Sequence, residues 1–353
     1  MPFRLGYRPA LDGVRGVAIL GVMAFHAGLP LPGGSLGVDL FFVLSGFLIT
    51  GLLLEEWEER GTIRLGAFYV RRALRLFPAL AVLLAALALF SLRFPVYQAV
   101  EARREIAYTF FYVANWALAF GRMPAMSPLG HAWSLAIEEQ FYLAWPLVLL
   151  ALLRRGITRR GLAALAAGAT LAAAALRLAL WQQGATVDRL FYGFDTRCDA
   201  LLAGCLAGIV AGWPGRAASP AAAAALSRAA AVAAPLLVAV TWIGGRHQDA
   251  LFAGGFTVLA VSAAVLILHV VDRPDSPLAR ALATRPLAGV GRISYGLYLW
   301  HWPVFLTVVT LMQPRGWSDG AMVAARFAAA LAIAGLSSRL VEKPALRWKA
   351  RWS

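Results

Sequence analysis

Apolar stretches of about span length alternate with short polar segments along the whole chain. A helix that crosses a bilayer needs roughly 20 predominantly apolar residues. Ten stretches are read as spans: 11–29, 38–54, 76–92, 133–153, 161–181, 199–213, 229–243, 250–271, 289–311 and 320–341. The stretch 105–120 is apolar but short and aromatic, and it reads as an interfacial or re-entrant segment. No internal repeat is evident, and Ala221–Ala225 reads as loop or helix start. The pattern predicts an all-α, polytopic membrane helix bundle of about ten helices. One membrane-embedded domain over 1–353 accounts for the sequence, with no appended soluble domain.

Composition agrees with the pattern. Of 353 residues, 60% are hydrophobic and 14% charged, and the mean hydropathy is +0.69. Soluble domains run nearer half apolar and a quarter charged. Disorder, a collagen, a coiled coil, a disulfide scaffold and a water-soluble enzyme are all excluded on this ground. The net charge of +15 reads as positive-inside topology and anionic lipid headgroups, with no nucleic acid as partner. With the N-terminus inside, the inside segments hold 20 basic residues and the outside segments 8. That bias puts both termini in the cytoplasm. A cleaved signal peptide is disfavoured, because Arg15 and His26 interrupt or flank its apolar core. Cys198 and Cys205 would lie roughly 10.5 Å apart along one helix, too far for a disulfide. No spacing suits a metal, and no bound cofactor is expected.

Ionisable groups within a bilayer are costly, which makes them functional candidates. Asp12, Arg15 and His26 fall on one face of the first span, and Asp12 can pair with Arg15 at i,i+3. His26 lies further along that face, towards the outer side. Asp39 opens the second span. His131 and Glu138 share a face if their helix starts early enough, and Glu139 follows as a second carboxylate. Asp195, Arg197 and Asp199 read as an ion-pair cluster. Tyr295, Tyr298 and His301 recur at i, i+3 and i+6 in an apolar helix. On the cytoplasmic side Arg71, Arg72 and Arg75 precede Pro78 and can converge on one anion, to which guanidinium forks are suited. Plain structural pairs, aromatic-belt residues and lipid-facing charges would explain the same residues without chemistry.

Seven segments in order resemble the acyltransferase-3 family of integral-membrane O-acyltransferases: LDGVRGVAILGVMAFH (11–26), GVDLFFVLSGFLIT (37–50), FYVRRALRLFP (68–78), HAWSLAIEEQFYLAWP (131–146), FDTRCDALLAG (194–204), ISYGLYLWHWP (293–303) and VEKPALR (341–347). The family's arginine–histidine motif falls on Arg15 and His26, and its RxxR motif on Arg72 and Arg75. Two departures, Ala132 for threonine and Cys198 for phenylalanine, leave the proposed chemistry untouched. The resemblance implies a ten-span core in the bacterial plasma membrane, acyl-coenzyme A (acetyl-CoA above all) as cytoplasmic donor, and a sugar or glycan hydroxyl as acceptor.

A histidine titrating near pH 6.5 can take the proton of a hydroxyl as it attacks a thioester carbonyl. His26 is the expected base, with Asp39 or Glu138 to orient it. Arg15 would hold donor phosphate or the acyl oxygen. Two alternatives remain at this point: a proton-coupled transporter, and a cytoplasm-facing acyltransferase acting on an antibiotic or a lipid.

Overall fold

A computed structural model describes residues 4–31, 33–93, 99–213, 219–244 and 248–349. Helices carry these residues, and no strand occurs among them. The helices are α1 Pro9–His26, α2 Gly37–Arg60, α3 Leu65–Arg93, α4 Ala99–Phe110, α5 Ala114–Ala119, α6 Trp133–Arg154, α7 Arg159–Gln182, α8 Val187–Tyr192, α9 Phe194–Ala211, α10 Pro220–Gly244, α11 Gln248–Ala250, α12 Phe256–Asp272, α13 Pro277–Leu282, α14 Arg285–Arg292, α15 Ser294–Met312, α16 Asp319–Ser337 and α17 Lys343–Lys349.

Among the described residues, seven helical stretches are long and apolar enough to cross a membrane: Gly34–Arg60, Leu65–Leu92, Gly130–Arg154, Arg159–Gln182, Pro220–Ile243, Leu251–Asp272 and Asp319–Trp348. Three more helices reach 18 or 19 residues, namely α1, α9 and α15. These three carry polar residues that dilute their apolar character: Asp12, Arg15 and His26 on α1, Asp195, Arg197 and Asp199 on α9, and Tyr295, Tyr298 and His301 on α15.

Several expected boundaries move. Helix α3 begins at Leu65, so Arg71, Arg72 and Arg75 lie within it and Pro78 is internal. The segment 105–120 is split between α4 and α5 at Tyr112, whose φ is +54°. Neither piece approaches span length. Residues 289–311 belong to two helices, α14 and α15, with Ile293 between them. Ala221–Ala225, by contrast, is a helix start as expected: it opens α10 just after Pro220, where alanine's high helix propensity prevails.

Contacts group the chain into two compact units. The first unit is Met1–Ile63 with Phe141–Arg292. Its helices approach through glycines. A Cβ on Gly46 would overlap the carbonyl of Leu201, one on Gly204 that of Val43, and one on Gly208 would stand 2.8 Å from the carbonyl of Phe47. Helices α2 and α9 therefore meet backbone to backbone, the close approach that small residues permit inside membranes. Gly13, Gly16 and Gly291 do the same between α1 and the α13–α14 segment. Helix α2 ends at Gly61, which takes the left-handed φ of +67° that favours glycine at a helix end.

The second unit is Arg64–Gln140 with Ile293–Ser353. Here α15 packs on α16 and α3, and α17 packs on α3. Leu80, Leu83, Leu297, Phe305, Ala330 and Ala334 are among its buried apolar residues.

Candidate functional site

The polar residues of the first unit begin at α1. Pro9 stands at the first turn, where its missing N–H costs nothing. Asp12 follows in the same turn, where the helix dipole favours a negative charge. Its carboxylate receives Arg15 Nη1 at 3.2 Å and the Tyr7 hydroxyl at 2.9 Å. The i,i+3 pair is thus present, and Tyr7 is an additional donor to it. Gly291 seats α14 directly on the backbone of Asp12. His26 is the last residue of α1 and is half-buried, with its ring 5.5 Å from that of Phe25.

Asp39 sits in the first turn of α2 and is 1% exposed. It pairs with Arg197 of α9 at 2.7 Å. Asp199 pairs with Arg177 of α7 at 2.9 Å. Asp195 is instead held by Arg189 of α8, at 2.9 Å to Oδ1. Asp195, Arg197 and Asp199 are thus the ion-pair cluster that the sequence suggests, and it holds helices together, because each side chain bonds a residue on another helix. Asp39 is bonded to Arg197, while Glu138 belongs to the second unit.

The second unit holds His131, Glu138, Glu139, Tyr298 and His301 together with Arg71, Arg72 and Arg75. Helix α6 starts at Trp133, so His131 lies in the preceding 3₁₀ turn and shares no α-helical face with Glu138. Both histidines are buried, at 5% and 0% exposure. His131 Nε2 lies 3.1 Å from the carbonyl oxygen of Leu299. A carbonyl only accepts, so Nε2 carries a proton. His301 Nδ1 donates to the carbonyls of Leu297 and Tyr298, at 3.0 and 2.8 Å. The two rings are 5.4 Å apart, edge to face. The Tyr298 hydroxyl donates to the His131 carbonyl at 2.7 Å, and so accepts from Ser134 at 2.6 Å.

The three arginines of α3 are half-buried. Arg72 acts electrostatically on Glu139, and Arg75 on Glu342. Glu342 comes close to α15 because residue 296 is glycine: a Cβ there would stand 2.8 Å from Glu342 Oε1. Tyr295 joins this group. Its hydroxyl donates to the Leu76 carbonyl at 2.6 Å, and Glu138, Glu139, Glu342 and Tyr112 all act on it. The strained turn at Tyr112 is held by Gln140, whose Nε2 donates to the Tyr112 carbonyl at 2.7 Å and to Asn115 Oδ1 at 2.9 Å. Burial, aided by the Glu139 charge, pushes the Tyr112 phenol above its ordinary range. In α4, burial pushes the Glu105 carboxyl up to about 7.

A family profile described as an acyltransferase domain matches residues 8–339. The chain belongs to the acyltransferase-3 family. This acyltransferase is 36% identical, over 352 residues, to the peptidoglycan O-acetyltransferase OatA of Listeria monocytogenes, covering 96% of this chain and 56% of the relative. It is 34% identical, over 316 residues, to the O-acetyltransferase OatA of Staphylococcus aureus, covering 86% of this chain and 51% of the relative. The chain thus spans about half the length of the curated relatives it matches. No solved structure matches it.

Three residues of the acyltransferase's polar interior are absent from the sequence-based site. Arg177 is the lone charge in the apolar run 161–182, a signal that was present. Glu342 stands inside a segment that carried the family resemblance, with nothing local to mark its carboxylate. Thr257 gives no sequence signal, because its importance comes from what α7 and α9 bring to it.

Proposed function

We propose that the acyltransferase is a multi-pass membrane O-acyltransferase that moves an acetyl group from a cytoplasmic acyl-CoA to a hydroxyl of a glycan, with peptidoglycan as the favoured acceptor class. In this reading α1, α9 and α15 cross the bilayer with the seven more apolar stretches, which makes ten crossings in the bacterial plasma membrane. The basic-residue bias supports cytoplasmic termini. The names of the relatives support a peptidoglycan acceptor.

The observation that carries the reading is the place of His26 on α1, the helix that also carries the Asp12–Arg15 pair. His26 is half-buried at the end of a helix whose other polar residues are a carboxylate and a guanidinium. As general base His26 takes the acceptor's hydroxyl proton while the oxygen attacks the thioester carbon. The tetrahedral intermediate then collapses and expels the thiolate, which receives that proton. The products are an ester and free coenzyme A. Arg15 is proposed to stabilise the developing oxyanion, and Arg71, Arg72 and Arg75 to bind donor phosphates.

The test uses purified protein in nanodiscs with acetyl-CoA and soluble peptidoglycan fragments. Thiol release matched by O-acetylated fragment in the mass spectrum supports the reading. Transfer that ignores acetyl-CoA and uses another acyl donor overturns the donor assignment. A folded His26→Ala protein should lose roughly 10²–10⁴-fold in kcat, and full activity removes His26 from the mechanism.

A further inference from the structure

Four helices of the first unit meet at a buried pair of arginines. Arg177 Nη1 donates to the Thr196 carbonyl at 2.6 Å, and Nη2 to Thr257 Oγ1 at 2.6 Å and to Asp199 Oδ2 at 2.9 Å. The Thr257 hydroxyl, having accepted from Arg177, donates to Asp199 Oδ2 at 2.7 Å. Its single proton leaves one consistent orientation. The neighbouring Phe256 ring lies under both guanidiniums, 3.8 Å from Arg197 and 5.4 Å from Arg177. Arg197 then reaches Asp39 in the first turn of α2.

That turn of α2 is pressed onto the last turns of α1. A Cβ on Gly37 would overlap the Ala18 carbonyl. One on Gly34, just before α2, would overlap the Gly21 carbonyl and stand 2.9 Å from Phe25 Cβ. Phe25 is the neighbour of His26. With no side chains between them to flex, a displacement of the α2 start must displace the end of α1.

Buried ion pairs are poor sources of stability, because desolvation offsets their attraction. What this one supplies is a fixed orientation. We propose that Arg177 and Thr257 are positioning residues that hold His26 in place, acting through Arg197, Asp39 and the first turn of α2. The proposal rests on the reading of His26 as the base.

Thr257→Val removes the hydroxyl at constant volume and leaves every charge in place. Its kcat should fall by about tenfold, within the range that misplacement of a reacting group produces. Donor KM should stay unchanged, the ¹⁵N ring signals of His26 should shift, and Thr257→Ser should restore both. Should Thr257→Val fail to fold, Arg177→Lys, which keeps the charge and loses the fork, is expected to give the same kcat loss and ring shift. Wild-type kcat, or a loss of kcat with unmoved His26 signals, overturns the proposal. Full activity of His26→Ala would instead overturn the base assignment, and the ring signals still report whether the network positions that residue.

Discussion

His131 caps a carbonyl that Pro303 leaves without its helical partner. In α15 the Leu299 oxygen would ordinarily accept the N–H of residue 303, and proline has none. His131 Nε2 takes that place at 3.1 Å. The histidine and the proline, 172 positions apart, thus form one structural unit.

This relationship is testable by its reversal. His131→Ala should strand the Leu299 oxygen in a buried setting, at a cost of about 1–3 kcal/mol. Adding Pro303→Ala restores an N–H, so the double variant should recover part of that loss. Thermal unfolding of the four proteins in one detergent closes the cycle. Strict additivity would show that the two residues do not share the carbonyl.

Arg15→Ala should destabilise the folded protein more than Asp12→Asn with Arg15→Ala together. The single change leaves the Asp12 carboxylate with the Tyr7 hydroxyl as its remaining side-chain donor among those described. An uncompensated charge is worse than none. Chemical denaturation in detergent, compared across both variants, decides it. Equal stability would mean that Tyr7 alone satisfies Asp12.

Glu105 should give the stability a pH dependence of definite sign. Its folded carboxyl titrates at about 7 against an ordinary value of 4.5. The folded state therefore binds more protons than the unfolded state between those values, and stability falls as pH rises through that window. The contribution is full below about pH 4.5 and lost above about 7. Glu105→Gln should flatten the slope, by an amount on the order of a few kcal/mol at most. Melting temperatures from pH 4 to 8 provide the measurement, and an unchanged slope would assign it to other groups.

Reporter fusions should read cytoplasmic at Arg155 and extracytoplasmic near Gln183 and Gln313. A cytoplasmic signal at Gln183 contradicts the ten-crossing arrangement.

The helical architecture was legible because burial in lipid demands long apolar runs, and these survive as a pattern. Helix ends were less so. Arg71, Arg72 and Arg75 look like a flanking charge cluster, yet arginine is a good helix former and the helix runs through them from Leu65. The pair Asp12–Arg15 was legible because both members lie on one turn. The partners of Asp39, Asp195 and Asp199 were not, since Arg197, Arg189 and Arg177 are joined to them by the meeting of separate helices. The Glu342 environment depends on Gly296, a residue whose contribution is the side chain it lacks.

The buried pairs also impose an order on synthesis. Asp39 and Arg177 leave the ribosome first, each without the residue that will neutralise it. Both answering charges, Arg197 and Asp199, lie two positions apart on α9. Until α9 emerges, α2 and α7 each hold an unmatched ionic group. When it does, one helix satisfies two earlier ones. Helix α9 is itself too polar to count among the most apolar stretches, and its entry into the bilayer would be drawn by the charges already waiting there. A nascent chain halted before residue 194 would then hold helices that have not yet found their register.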